Sequence, residues 1–97
     1  MFLQIADQRT TKLDEMMKLE EEWRNATEGK RTIRRSVVAR DRNMPDRYLV
    51  LAFFDDYESA MENSNLPETG DFADKQMALI FGTPSYIELD VIKEVEY

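Results

Sequence analysis

Arg47 to Phe54 reads RYLVLAFF, a stretch bounded by charge and apolar at every position from Tyr48 onward. In a strand, successive side chains point to opposite faces of the sheet. This segment therefore presents Leu49, Leu51 and Phe53 on one side and Tyr48, Val50, Ala52 and Phe54 on the other. Both faces of the sheet have to be covered, and helices on one side can cover only one of them.

The neighbouring segments supply the rest of a sheet. Residues 32–40, TIRRSVVAR, alternate: Ile33, Arg35, Val37 and Ala39 share a face, with Arg34, Ser36, Val38 and Arg40 on the other. The linking DRNMPD is polar and contains Pro45, which cannot donate to a ladder, so the two segments read as an antiparallel hairpin. Residues 2–8, FLQIADQ, make a first strand, with Leu3 and Ile5 opposed to Phe2 and Ala6. At the other end SYIELDVIKEV, residues 85–95, places Ile87, Leu89 and Val91 against Tyr86, Glu88, Asp90 and Ile92.

Between the strands the period changes to that of a helix. Leu13, Met16, Leu19, Trp23 and Ala26 recur at steps of three and four, after a capping box built on Thr11 and Asp14 and before Gly29 as a stop. A second helix begins at FDDYESA, with Asp55 as cap and Glu58 closing the box. Asn63, Ser64 and Asn65 end it, and Pro67 and Gly70 mark a break. FADKQMALIF, residues 72–81, resumes the helix until Gly82 and Pro84.

Strand, helix, strand, strand, broken helix, strand is the βαββαβ order of the ferredoxin-like α+β fold. It predicts one domain over residues 1–97, with a four-stranded antiparallel sheet, both helices on one face, and the first and third strands central. RYLVLAFF is the third. Leaving its second face in water would forgo roughly 1.5–3 kcal/mol for each large side chain. It would also expose a contiguous apolar patch of a kind monomers seldom carry. The reading that follows is a C₂ homodimer, two sheets packed face to face.

Composition bounds the chemistry. The 97 residues include 13 Lys and Arg against 20 Asp and Glu, a net charge of −7, with no Cys and no His. That excludes disulfides, thiol chemistry, Ser-His-acid and Cys-His catalysis, and zinc sites of the usual nitrogen or sulfur type. Glu20–Glu22 and the pair Asp55 and Asp56 have no calcium-loop spacing, so no metal is expected. There is no glycine-rich phosphate loop. KRTIRR, residues 30–35, is basic, but its charges diverge to both strand faces without a base-stacking aromatic pair, and the net charge opposes nucleic acid. No apolar run approaches the roughly 20 residues of a membrane span, and no leader segment precedes the first strand, so the expected location is cytoplasmic.

With FLQI at 2–5, LVLAFFDDYESA at 49–60, NSNLPE at 63–68 and GTPSYIELDV at 82–91, the chain resembles the dimeric α+β barrel superfamily. The likeness is to small proteins related to the antibiotic biosynthesis monooxygenases. The resemblance implies a homodimer and a cavity between sheet and helices. It also implies activity on, or binding of, a small lipophilic or aromatic molecule. Members oxidise such aromatics without metal or flavin, so no cofactor is expected. The haem-degrading branch uses a histidine ligand that this chain lacks. The competing class is a non-catalytic dimeric module that binds a ligand or another protein.

The candidate pocket residues are Trp23, Arg34, Arg35, Tyr48, Asn63, Asn65 and Tyr86. Trp23 is either a core filler or an aromatic cavity wall for a flat ligand. Tyr48 and Tyr86 offer hydroxyls to a substrate oxygen or serve as sheet aromatics. One of Arg34 and Arg35 falls on whichever strand face is buried, where it calls for a carboxylate such as Glu88 or Asp90, or binds an anion. Asn63 and Asn65 either bond their own backbone or stand at a cavity entrance. The proton acceptor that oxygenation would need is a carboxylate or water, which the sequence does not select.

Overall fold

The structure, a computed structural model, describes residues 1–97. In chain order the elements are β1 (Phe2–Arg9), α1 (Leu13–Ala26), β2 (Arg35–Arg40), β3 (Arg47–Phe54), α2 (Tyr57–Ser64), α3 (Pro67–Met77) and β4 (Phe81–Asp90). The sheet is antiparallel in the order β2-β3-β1-β4, so β1 and β3 are central, and the helices lie on one face. This is the ferredoxin-like α+β architecture that the alternation of periods predicts.

The register settles which face of RYLVLAFF the helices cover. Ile87, Ile5, Leu51 and Val37 form one row across all four strands, and Leu89, Leu3, Phe53 and Arg35 form the next. These rows lie on the side away from the helices; Ile87 and Leu89 are 50% and 41% exposed in the single chain. The helix side carries Glu88, Gln4, Ala52 and Ser36 in one row and Tyr86, Ala6, Val50 and Val38 in another. Both faces carry apolar side chains in mid-sheet. The aliphatic rows face outward beside Asp7 and Arg47, and the covered face mixes Ala6, Tyr48 and Val50 with Gln4, Gln8 and Glu88.

The packed part of the interior sits at one end, where Phe2, Phe54 and Ala60 are buried and Ile33, Ala52 and Met61 pack on them. Ile33 had shared a face with Val37 in the sequence alternation. It precedes β2, however, and the chain turns it into the helix-side core before strand pairing fixes the parity. On α1, Met16 and Leu19 are buried as the stripe requires.

Caps and breaks differ from the sequence reading for local reasons. At α1 the cap position is Lys12, with no side-chain cap. Thr10, not Thr11, organises the turn: its hydroxyl accepts from the Lys12 N–H at 2.9 Å and donates to the Leu79 carbonyl at 2.6 Å. At α2 the cap is Asp56, whose carboxylate accepts the Ser59 N–H at 2.7 Å. Asp55 is drawn off by Arg34, 2.7 Å away. Pro67 does not extend the break; it opens α3 at its first turn, where a missing N–H costs nothing.

The last strand begins four residues earlier than predicted, at Phe81, so Gly82 is not a helix stop. Pairing with β1 shifts there: Asp7 faces Ser85 and Arg9 faces Phe81, so β4 takes the longer path. Gly82, at φ 75°, supplies the left-handed conformation that this irregularity requires. Pro84 is tolerated because β4 is an edge strand.

Candidate functional site

A cavity of about 540 Å³ lies between the helix side of the sheet and α1 and α3. Its floor is the helix side of the sheet, where Gln4, Ser36 and Glu88 lie beside Tyr86, Ala6, Val50 and Val38; its roof includes Met16, Phe72 and Gln76. The volume falls within the range of small-molecule sites, as does the mixture of apolar walls and a few polar groups. Tyr86 at 57% exposure and the exposed Glu88 stand on β4, and so mark an opening at that edge.

Three polar arrangements line it. Tyr48, 6% exposed, receives a hydrogen bond on its phenol oxygen from Arg40 Nε at 3.2 Å. The same guanidinium lies 5.4 Å from the Tyr48 ring centroid. With a lone pair occupied from behind, the phenol hydrogen remains available for donation. Gln76 donates from Nε2 to Gln8 Oε1 at 3.0 Å, which fixes two amides and leaves Gln8 two N–H groups to offer. Thr10, fully buried, braces the turn below them. The carboxylates at the cavity are Glu20, paired with Arg24 at 3.1 Å, and Glu88, which forms no ion pair.

Of the residues singled out in the sequence, Tyr48 and Tyr86 line this cavity. Trp23 does not. It lines a separate groove of about 130 Å³ between α1 and α3, with its ring tilted against Phe72. Its indole N–H donates to Thr69 Oγ1 at 3.0 Å. Arg34 and Arg35 also lie elsewhere, because β2 is an edge strand and both side chains reach solvent. Arg34 pairs with Asp55 rather than with Glu88 or Asp90, and that guanidinium holds the Asp55 carboxyl below its usual range. Arg35 lies over the Phe53 ring, 4.9 Å from its centroid, on the outward face.

Asn63 is buried, and its side-chain oxygen accepts the Thr32 N–H at 3.2 Å, which ties α2 to the segment entering β2. Asn65 is the exposed C-cap of α2. The cavity residues that the sequence reading passed over are Gln4, Gln8 and Gln76. A signal was present: two glutamines four apart on one face of a central strand are polar groups with no reason to be covered unless they face a cavity.

The strongest ionic cluster lies on the outward face instead. Arg47 meets Asp7 at 2.7 Å and Asp41 at 2.8 Å. Hydrogen bonding from Arg47 lowers the Asp7 carboxyl below its ordinary value; at Asp41 the Asn43 backbone N–H does most, with Arg47 adding to it.

No protein-family model matches the sequence, and no curated protein matches it. Solved structures do match in three dimensions. SnoaB, a cofactor-independent oxygenase from Streptomyces nogalater, was solved as an asparagine-to-alanine variant. It superposes with a TM-score of 0.78 at 13% identity, over 99% of this chain and 98% of that one. The chain has the antibiotic biosynthesis monooxygenase fold. A protein described as an antibiotic biosynthesis monooxygenase agrees at TM-score 0.76 and 13% identity, covering 96% of this chain and all 100% of its own. Rv0793 from Mycobacterium tuberculosis agrees at 0.77 and 10% identity, over 98% of each chain. At such identities the monooxygenase-like likeness is one of fold. No helix is long and apolar enough to cross a membrane.

Proposed function

We propose that the protein is a homodimer whose sheet–helix cavity binds a small, flat, lipophilic molecule and oxygenates it without a cofactor. The observation that carries this reading is a roofed cavity of mixed polarity on one face of the sheet with uncovered aliphatic rows on the other. Amides, a phenol and a carboxylate face a roofed cavity of about 540 Å³, while the aliphatic rows face outward. Amides on a covered face, such as those of Gln4 and Gln8, are costly unless a polar group of a ligand or solvent meets them. An aliphatic outer face is costly unless a second copy covers it.

The chemistry that suits the site draws its electrons from the substrate. A hydroxyaromatic with an activated CH₂ loses a proton to give a delocalised anion. That anion reduces dioxygen and is captured as a hydroperoxide. Loss of water then leaves a ketone: CH₂ plus O₂ becomes C=O plus H₂O. Tyr48 and Gln8 supply donors for the developing negative charge, which a site sheltered from water makes more effective. Glu88, with no ion-pair partner, is the carboxylate available to take the proton.

Purified protein incubated with electron-rich hydroxyaromatics under oxygen, with no added cofactor, should consume oxygen and form ketone in equal amounts. The Ala6→Phe variant is the control. Ala6 lies mid-floor between Val50 and Tyr86, and a phenyl ring there blocks the cavity. Oxygen uptake that survives Ala6→Phe would remove the cavity from the mechanism. Binding without turnover would make the protein a carrier of the same ligand class.

A further inference from the structure

The charge of the cavity wall sets what can enter. Twenty residues line it, and neither a lysine nor an arginine is among them. Its two carboxylates are unequal. Glu20 on α1 is answered by Arg24, four residues on, at 3.1 Å. Glu88 is answered by nothing: its cross-strand neighbour on β1 is the neutral Gln4, and no cation approaches within ion-pair distance. Arg40 meets the site through Tyr48, bonding its phenol oxygen and lying over its ring, from the opposite edge of the sheet.

An anionic ligand would therefore leave water for a wall that offers it no cation, past an unpaired carboxylate at the β4 opening. Such a transfer is unfavourable, because a desolvated charge needs a partner. A ligand bearing an ammonium group meets the reverse situation, since Glu88 can pair with it at the mouth while the apolar walls take its rings. Neutral ligands meet neither penalty nor gain. The amides of Gln4, Gln8 and Gln76 and the hydroxyls of Ser36 and Thr69 hydrogen-bond with either kind.

From this asymmetry we infer that the cavity selects uncharged and amine-bearing flat molecules, rejects carboxylates and phosphates, and owes that selection to Glu88. The inference rests on the cavity being the ligand site, and it adds the charge class of the ligand.

Three probes of one shape separate the possibilities: naphthylmethanol, naphthylmethylammonium and naphthoate, measured by calorimetry at neutral pH and low salt. The expected order is ammonium tightest, alcohol next, carboxylate weakest, with about tenfold or more between the extremes from Coulomb interaction at a partly solvated site. Added salt should narrow the spread. Glu88→Gln should reduce the ammonium-to-carboxylate ratio about threefold or more on the same Coulomb estimate, while affinity for the alcohol stays within about twofold. Naphthoate binding as tightly as the alcohol would overturn the inference and leave the cavity reading standing. An unchanged ratio in Glu88→Gln would overturn the role of that residue. No binding by any of the three, with wild type indistinguishable from Ala6→Phe, would overturn the cavity reading and this inference together.

Discussion

Replacing Leu51 by aspartate tests the outward face where it is most committed. Leu51 sits in the row Ile87, Ile5, Leu51, Val37, on the central strand β3, with no helix over it. In a C₂ dimer each copy contributes this residue. Leu51 is already partly buried in the single chain, so association gains about a third of the roughly 1.5–3 kcal/mol of a full leucine, about 1–2 kcal/mol for the pair. At 1.4 kcal/mol per decade, losing both weakens the dimer by about five- to thirtyfold. Two buried carboxylates add a further penalty of the same sign. Sedimentation velocity over a concentration series should show wild type as a dimer at low micromolar concentration and Leu51→Asp as a monomer. Met44→Asp, in the β2–β3 loop, should sediment as wild type. Because Leu51→Asp could also disturb the monomer, Ile87→Asp is the second probe. Ile87 is half exposed in the single chain, so its effect must come from contact between copies. A monomeric wild type, or two variants that sediment as dimers, would refute the reasoning.

Three further outcomes follow from the contacts at the site and on the sheet. Tyr48→Phe removes one donor from the cavity and the bond to Arg40, and should weaken a hydroxyl- or carbonyl-bearing ligand about two- to tenfold, the size of one net hydrogen bond, by calorimetry. Trp23→Phe loses the indole bond to Thr69 and about 1 kcal/mol of stability in urea titration, while cavity affinity stays within about twofold because the ring lies in the other groove. Asp7 and Asp41 have lowered carboxyl values in the folded state, so the unfolded chain binds their protons first. Their contribution is intact above the unfolded value of 3.8 and is lost as pH falls through the lower folded values. Arg47→Gln should therefore flatten the acid limb of the urea-midpoint profile below about pH 4 and leave its shape near neutrality unchanged; an acid limb as steep as wild type would show that the ion pairs do not report on folding.

The sheet was legible because strand parity is a property of sequence. FLQIADQ and RYLVLAFF divide their side chains between two faces, and the register preserves that division. Which face the helices cover was not legible, since both sets on β3 are apolar. On β1 the covered face carries Gln4 and Gln8 while Leu3 and Ile5 face outward, against the usual parity. The helix ends were less legible for a related reason. Thr10 or Thr11, and Asp55 or Asp56, are adjacent residues of equal capping ability. The choice between them is made by distant groups: the Leu79 carbonyl engages Thr10, and Arg34 removes Asp55. Trp23 lies on the apolar stripe of α1, but the stripe is wider than the cavity roof, and its far edge faces α3. Periodicity finds a face; it does not say which part of that face meets an empty space.

The same division of the sheet bears on folding. In the single chain only 10 of 97 residues are buried, four of them polar, and the packed cluster is Phe2, Phe54 and Ala60. The space where a two-layer domain would place its main core is the cavity. A second copy packed on the outward face, as proposed, would bury its aliphatic rows. In that dimer folding and association are one equilibrium, and stability depends on protein concentration. A tenfold dilution should cost about 1.4 kcal/mol of dimer. With a urea slope of about 1–3 kcal/mol per molar, the midpoint should fall by about 0.5–1.4 M for each decade. Leu51→Asp should abolish that dependence together with the dimer. A wild-type midpoint unmoved across a hundredfold dilution would mean that the chain is stable alone with its aliphatic rows in water, and the energetic reason for pairing two sheets would be gone.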